Sequence, residues 1–185
     1  IAETGKSCPT EILQAIASIN AEGRPIWKPM HMQPMYRNHA FITVDGSGMV
    51  YLASERDNSA KGVNYDTILI VNPNESGTRL VAQKEWDLTA TLPQVSANMG
   101  IEAVEWVANG DVVGKLIDQN TGSTFDAANY PNSVAGGVFF VALEDNGHVY
   151  AYILNEDETV VQIADIDAEL GGAMALHYDT YEKKL

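Results

Sequence analysis

Gly100-Ile-Glu-Ala-Val-Glu-Trp-Val107 decides the fold, because this phrase recurs in degenerate form as Gly172-Ala-Met-Ala-Leu-His-Tyr-Asp179. A second phrase behaves in the same way: Gly48-Met-Val-Tyr-Leu-Ala-Ser-Glu55 returns as Gly137-Val-Phe-Phe-Val-Ala-Leu-Glu144. The spacings indicate a repeating unit of roughly 40 residues, uneven because loops differ in length. Repeats of this length that are built from short apolar strands are typical of a β-propeller.

From Phe41 onward the sequence alternates between short apolar runs and turn residues. The predicted strands are 41–44, 49–53, 66–71 and 79–86 in the first unit, and 100–107, 111–117, 137–143, 148–154 and 159–166 in the second. A propeller blade has four strands, so one of the last five is expected to continue its neighbour. Gly172–Asp179 predicts the inner strand of an unfinished third blade. We therefore predict a mainly β chain, with a partial β-propeller over residues 41–185.

Residues 1–40 differ in character from the rest of the chain. Pro9 and Glu11 are typical of the start of a helix, and isoleucines at helical spacing continue the pattern to about Asn20. Residues 24–29 contain two prolines, which hold the preceding residues in extended conformations. The sequence thus predicts a separate first domain, which consists of a helix and an extended arm.

Charge and composition exclude several classes of partner. The 25 acidic and 11 basic residues give a net charge of −14, which would repel nucleic acid and anionic membranes. No apolar run reaches the roughly 18 residues of a membrane span. The one cysteine, Cys8, rules out an internal disulfide and a cysteine-based zinc site. The start at Ile1 without a leader, and the finish within a predicted hairpin, predict a piece of a longer protein whose signal peptide lies outside it.

One segment resembles a known enzyme family. Gly23-Arg-Pro-Ile-Trp-Lys-Pro-Met-His-Met-Gln-Pro-Met-Tyr36 is similar to the C-terminal small domain of DegT-like sugar-nucleotide aminotransferases, a resemblance that covers about residues 1–45. It implies a segment beside a pyridoxal phosphate pocket, with candidate residues Trp27, Lys28, His31 and Gln33. The family's large cofactor domain, with its Schiff-base lysine, is not in this chain. The resemblance therefore implies a cytoplasmic remnant, and the structural alternative is an arm that packs Trp27 on a neighbouring element.

A second resemblance covers about residues 45–185. Tyr51-Leu-Ala-Ser-Glu-Arg-Asp-Asn58, Asn98-Met-Gly-Ile-Glu-Ala103 and Gly136-Gly-Val-Phe-Phe-Val-Ala-Leu-Glu144 are similar to the esterase-like, phytase-associated β-propellers. The resemblance implies part of a secreted bacterial propeller, extracellular or periplasmic, that binds a ligand or hydrolyses an ester or phosphoester when intact. The alternative is a non-catalytic interaction module, whose exposed blade edges self-associate or pair with a complementary half.

Propeller ligands gather near the ends of the inner strands, and five residues are candidates for such an axial site. Glu55, Arg56 and Asp57 directly follow an apolar strand, Glu102 lies within one, and His177 follows one. We expect them to bind a small molecule or a protein ligand. Glu55, Asp57 and Glu102 could hold Ca²⁺ or act in acid–base chemistry.

The structural alternative is that Glu55 pairs with Arg56 or a turn amide, and that Glu102 binds backbone N–H groups between blades. The chain has no motif that carries a recognised nucleophile, so the sequence alone identifies no reaction. For the polar loop from Asp118 onward, a solvated loop is favoured over a calcium site.

Overall fold

The computed structural model describes residues 41–56, 62–75 and 81–185 in full, and residues 15–19, 25–29, 37–40 and 57 as strand backbone. The strands are β1 (Ala15–Ile19), β2 (Pro25–Pro29), β3 (Arg37–Val44), β4 (Val50–Asp57), β5 (Asn64–Val71), β6 (Lys84–Asp87), β7 (Ile101–Ala108), β8 (Ile117–Asp118), β9 (Ser123–Thr124), β10 (Gly137–Leu143), β11 (His148–Leu154) and β12 (Val160–Asp167). Helix α1 (Asn109–Val112) and a 3-10 helix (Ala127–Asn129) are short. The prediction of a mainly β chain is confirmed.

Two four-stranded antiparallel sheets form the body of the molecule. Sheet one has the order β3-β4-β5-β6, and sheet two has the order β7-β10-β11-β12. Within each sheet the neighbouring strands follow the order of the chain. Tight turns join β3 to β4 and β10 to β11, whereas the connection from β7 to β10 contains α1, β8, β9 and the 3-10 helix. Gly48 and Gly147 sit in two of these turns with φ of 85° and 69°, a conformation that favours glycine.

The N-terminal segment differs from its prediction. Ala15–Ile19 form strand β1, which pairs residue by residue with Pro25–Pro29, so the predicted helix is wrong over these residues. Isoleucine is β-branched, and a paired partner strand supplies the backbone hydrogen bonds, so this segment suits a hairpin. The rest of the predicted helix lies outside the described residues. The predicted extended conformation of residues 25–29 agrees with strand β2.

Two predicted strands of the second and third units are absent. Residues 111–117 form the end of α1 and a turn at Gly114, whose φ of 79° interrupts any strand, and only Ile117 enters β8. Gly172–Asp179 form no strand beyond an isolated bridge between Asp179 and Lys184. A glycine pair opens this second segment, and the Glu105 side chain binds its backbone at Tyr178 in place of a strand ladder. Sheet two consequently has four strands rather than five.

The sequence repeat corresponds to a repeated contact in space. A Cβ atom placed on Gly100 would lie 3.1 Å from the Cβ of Glu55. A Cβ placed on Gly172 would lie 3.1 Å from the carbonyl oxygen of Glu144. Each repeated glycine therefore lies against the repeated glutamate of the preceding unit, where a side chain would have too little room.

The main core lies between the two sheets, which pack through one face of each. Tyr51 and Trp86 of sheet one and Phe139 and Tyr152 of sheet two are fully buried there. The Tyr51 and Phe139 rings are tilted with centroids 4.6 Å apart. The Trp86 Nε1–H donates to the carbonyl oxygen of Asn155 at 2.8 Å, so a polar contact also joins the sheets.

The loop after β8 is organised by a buried carboxylate rather than left in solvent. Asp118 is fully buried, accepts a hydrogen bond from the Asn120 backbone N–H at 2.9 Å, and accepts another from the Tyr130 hydroxyl at 2.6 Å. The preference for a solvated loop is wrong for Asp118, because these two donors replace water at its oxygens.

The outer edge of sheet two is covered by side chains. Gln119 donates to the Asp165 carbonyl oxygen and accepts from the Asp165 N–H, both at 3.0 Å. Asn120 donates to the Gln162 carbonyl oxygen at 2.8 Å. These amides take up backbone groups of β12 that would otherwise offer a template for another strand.

Replacing Gln119 with alanine is expected to lower the free energy of unfolding by about 1–2 kcal/mol, because two hydrogen bonds are lost. Self-association should increase as the β12 edge opens. Urea unfolding and sedimentation velocity would measure both effects. Gln94→Ala is the control, since Gln94 is exposed and makes no hydrogen bond within the described part of the chain. Equal stability and association of the two variants would contradict the edge-covering role.

Candidate functional site

Four carboxylates collect at one end of the strands of both sheets. They are Glu55 on β4, Asp66 on β5, Glu102 on β7 and Glu144, which follows β10, and we call them the carboxylate cluster. Glu55 is 4% exposed and Asp66 is 1% exposed, whereas Glu102 and Glu144 are half-buried. Glu55 and Asp66 are thus shielded from water, whereas Glu102 and Glu144 are partly accessible to solvent.

β-Bulges position these side chains. One lies in the pairing of β4 with β5, beside Glu55. The other lies in the pairing of β7 with β10, where Ile101 and Ala103 face consecutive residues of β10, so Glu102 is the extra residue. A bulge turns a side chain away from the regular alternation of a strand, and bulges are common beside active sites. The bulge in β7 therefore takes Glu102 out of the regular alternation of its strand, and the bulge in β5 does the same at Tyr65 and Asp66, opposite Glu55.

Asp66 connects sheet one to the start of β7. Its Oδ1 accepts a hydrogen bond from the Ile101 N–H at 3.0 Å, and its carboxylate touches the position that a Cβ on Gly100 would occupy. Burial raises the pKa of Asp66 to about 6, and the charges of Glu55 and Asp87 raise it further while the Ile101 N–H opposes the rise. Gly100 is required here because any side chain would displace this carboxylate.

The carboxyl group of Glu102 has a strongly raised pKa. Burial is the largest cause that raises its pKa, to about 7, followed by the negative charges of Glu55 and Glu144 and by a hydrogen bond with Glu144. Two carboxyl groups in hydrogen-bond contact favour a state with one shared proton. Glu102 can therefore both donate and accept a proton near neutral pH.

The structure brings together only some of the predicted axial residues. Glu55 and Glu102 lie in the cluster, close enough for the charge of one to raise the pKa of the other. His177 lies apart, with its side chain 84% exposed and its Nδ1 4.0 Å from Glu105. Arg56 is half-buried next to Glu55, and the side chain of Asp57 lies outside the described residues.

Asp66 and Glu144 were missed by the sequence analysis. Glu144 had a signal, because it occupies the same place in the second repeated phrase that Glu55 occupies in the first. Asp66 had none beyond its position at the start of an apolar run, because its contact with Gly100 depends on how the sheets meet. Only the folded chain shows this contact.

The backbone-linking role considered for Glu102 is performed by a neighbour. Glu105 accepts a hydrogen bond from the Tyr178 N–H at 3.0 Å and another from the Thr43 hydroxyl at 3.4 Å. It thereby joins β7 to β3 on one side and to the segment 172–179 on the other. Since Glu105 provides this link, Glu102 is left facing the cluster.

The structure describes only part of the predicted metal site and none of the side chains of the aminotransferase-like segment. Across the described ranges, no group of three or more His, Cys, Asp or Glu side chains is arranged to hold a metal ion. The proposed Ca²⁺ set includes Asp57, and the side chains of Trp27, Lys28, His31 and Gln33 likewise lie outside the described residues. Among the helices that the structure describes, none has the length and apolar character needed to cross a membrane.

Comparisons with known proteins give one short match. A protein of Bacillus subtilis (strain 168), described as "Putative pyridoxal phosphate-dependent aminotransferase EpsN", is 40% identical over 42 residues. The match covers 23% of this chain, and it spans only 11% of the Bacillus protein. No family model and no solved structure matches the chain. The match concerns a small piece of a longer protein and assigns no family to this chain.

Proposed function

We propose that the two sheets are blades of a β-propeller and that the protein binds and hydrolyses an ester at the carboxylate cluster, outside the cytoplasm. The observation that carries this proposal is the convergence of four carboxylates, from both sheets, at one end of their strands. Resemblance to the esterase-like propellers supports the reaction class and the location.

Three features support the propeller architecture. Each sheet is a four-stranded meander, the two sheets pack through one face of each, and the contact between glycine and glutamate recurs from one unit to the next. Propeller blades repeat these relationships around an axis, and their ligands gather at the ends of the inner strands. The cluster lies at the start of β7, which would be the inner strand of its blade.

Charge selects between the two ester classes that the resemblance implies. A phosphoester carries negative charge, and four carboxylates in a chain of charge −14 would repel it. An uncharged carboxylic ester brings no such charge to the site. The cluster therefore favours a neutral ester as substrate.

The Glu102–Glu144 pair supplies the acid–base chemistry of the proposal. In the singly protonated pair, the ionised carboxylate accepts a proton from a water molecule as its oxygen attacks the ester carbonyl carbon. The protonated partner donates its proton to the carbonyl oxygen that gains negative charge. When the tetrahedral intermediate collapses, the carbonyl forms again and returns that proton, the ester C–O bond breaks, and the departing alkoxide takes the proton that came from water, which restores the singly protonated pair. Burial and the negative charge of Glu55 raise the pKa of Glu102 and so favour its protonated form.

Replacing Glu102 with glutamine is expected to lower kcat for p-nitrophenyl acetate hydrolysis by at least about 100-fold, since an amide cannot transfer the proton. Glu144→Gln should have a similar effect, and the double variant should lose little more, because the two residues act as one unit. Glu182→Gln is the matched control on an exposed glutamate. Hydrolysis that is unchanged in Glu102→Gln, or that is absent from the wild-type chain, would contradict the proposal.

The interaction-module alternative receives partial support. Ile42 and Val44 on β3 are 49% and 48% exposed, so sheet one offers apolar side chains to a partner. At sheet two, Gln119 and Asn120 block the β12 edge. A dimer that disappears on replacing both Ile42 and Val44 with threonine would support this alternative, and a monomeric wild-type chain would count against it.

The aminotransferase remnant rests on the resemblance of residues 1–45 and on the 42-residue match. It predicts that added pyridoxal phosphate binds and gives the absorbance of the bound cofactor. A spectrum identical to that of free pyridoxal phosphate would eliminate it.

A further inference from the structure

A second cavity lies at the opposite end of β7 from the carboxylate cluster. It has a volume of about 220 Å³, is partly open to solvent, and is lined by sheet two, α1 and the last residues of the chain. Val107, Phe140 and Ile166 are among the apolar side chains that line it. An apolar cavity of about 150 Å³ is large enough to bind benzene. This cavity therefore has room for a ring of that size and one small polar group.

A buried hydroxyl in the cavity lining lacks a partner. Tyr178 is 8% exposed, and its hydroxyl has no hydrogen-bond partner in the described part of the molecule. Asp111 is the nearby carboxylate. After burial, its charge and a contact that falls short of hydrogen-bond geometry raise the pKa of this hydroxyl, and Lys183 holds both Asp111 oxygens at 2.8 and 3.0 Å. A buried polar group without a hydrogen bond is unfavourable. An acceptor atom on a ligand would satisfy it.

The charges around the cavity are unlike those of the rest of the chain. Lys115 and Lys183 are two of only 11 basic residues, and both line this cavity. Lys183 pairs with Asp111, whereas Lys115 forms no ion pair with any residue that the structure describes. The cavity lining thus offers a free positive charge in a strongly acidic protein, which is complementary to an anion.

We propose that this cavity is a binding site for a small monocarboxylic acid with a compact apolar body, of about the size of benzoate. The apolar side chains of sheet two contact the ring or branched chain of the ligand. The Tyr178 hydroxyl donates a hydrogen bond to one carboxylate oxygen, and the Lys115 ammonium neutralises the charge. The site is distinct from the carboxylate cluster and needs no ester hydrolysis there.

Calorimetric titration of the chain with benzoate tests the proposal. Tyr178→Phe is expected to weaken benzoate binding about 5- to 10-fold, through loss of one hydrogen bond to a charged group. Lys115→Gln should weaken it about 3- to 10-fold and should reduce the effect of salt on the affinity. Benzyl alcohol, which has the ring without the charge, should bind at least 5-fold more weakly than benzoate.

Two substitutions close in sequence serve as controls. Tyr181→Phe and Lys184→Gln change the same residue types on exposed side chains that do not line the cavity, and they should leave benzoate affinity unchanged. Equal affinity of wild type and Tyr178→Phe would overturn the proposal. Equal affinity for benzoate and benzyl alcohol, or no benzoate binding by the folded wild-type chain, would overturn it as well.

Discussion

The Trp86→Ala variant should unfold with a free energy about 4 kcal/mol lower than that of the wild-type chain. Trp86 is fully buried between the sheets, where it lies against Tyr51 with ring centroids 6.1 Å apart. The substitution leaves a large cavity and also removes the only donor of the indole, which binds the Asn155 carbonyl oxygen. Because Asn155 directly follows β11 of sheet two, the loss acts on the contact between the sheets. Urea unfolding followed by circular dichroism would measure it.

A pair of conservative variants separates packing from hydrogen bonding. Trp86→Phe should cost about 1–2 kcal/mol more than Trp106→Phe, because the Trp86 indole N–H is bonded whereas the buried Trp106 Nε1 has no partner among the described residues. Two results would contradict the conclusion that Trp86 stabilises the contact between the sheets. One is an equal loss of unfolding free energy in the two phenylalanine variants, and the other is a loss below about 1.5 kcal/mol in Trp86→Ala.

The free energy of unfolding should fall by about 3 kcal/mol between pH 4 and pH 7.5 because of the carboxylate cluster, with most of the contribution of the half-buried Glu102 discounted for screening by solvent. Asp66 has a pKa of about 6 in the folded chain against 3.8 in the reference state, and Glu102 has about 7 against 4.5. Between these values the unfolded chain binds fewer protons than the folded chain. Stability is therefore full at low pH, and it is lost as the pH rises through the folded pKa values.

Carboxyl groups whose pKa is lowered in the folded chain change the free energy of unfolding only below this pH range. Hydrogen bonds lower the pKa of Asp157 and of Asp179, so their contribution to stability is present above about pH 4 and is lost only in stronger acid. The fall between pH 4 and pH 7.5 thus reports the cluster together with the general repulsion of a chain of charge −14.

Variants with a neutral side chain distinguish the effect of the cluster on stability from the effect of general charge repulsion. Asp66→Asn should be more stable than wild type by about 1–2 kcal/mol at pH 7.5 and equal to it at pH 4, because its amide oxygen can still accept from the Ile101 N–H. Asp145→Asn, an exposed change of the same charge, should show little of this effect. A wild-type stability that rises between pH 4 and pH 7.5 would contradict the assigned pKa shifts.

The strands of both sheets could be predicted because they are short apolar runs between turn residues. The run at 137–143 coincides with β10, and all but the first residue of the run at 49–53 lies in β4, since buried strands require continuous apolar side chains. The segment 172–179 has the same pattern but forms no strand. A strand also needs a partner ladder, and hydrophobic pattern alone does not reveal whether a neighbour supplies one.

Half of the carboxylate cluster could be predicted for a similar reason. Glu55 directly follows an apolar run and Glu102 lies within one, where a buried charge is unexpected and therefore informative. Asp66 and Glu144 belong to the cluster only because β5 and β10 end at the same place as β4 and β7. This coincidence depends on strand register and on the two bulges, which one-residue changes of pairing create and which the sequence does not display.

The carboxyl carbons of Glu102 and Asp66, followed by NMR as a function of pH, test the central claim most directly. The four carboxylates form one coupled site, so Glu102 should titrate near pH 7 and Asp66 near pH 6. Replacing Glu144 with glutamine should lower the titration midpoint of Glu102, because it removes a neighbouring negative charge. Midpoints near pH 4 for both residues, unaffected by that substitution, would show that the cluster does not exist as a site.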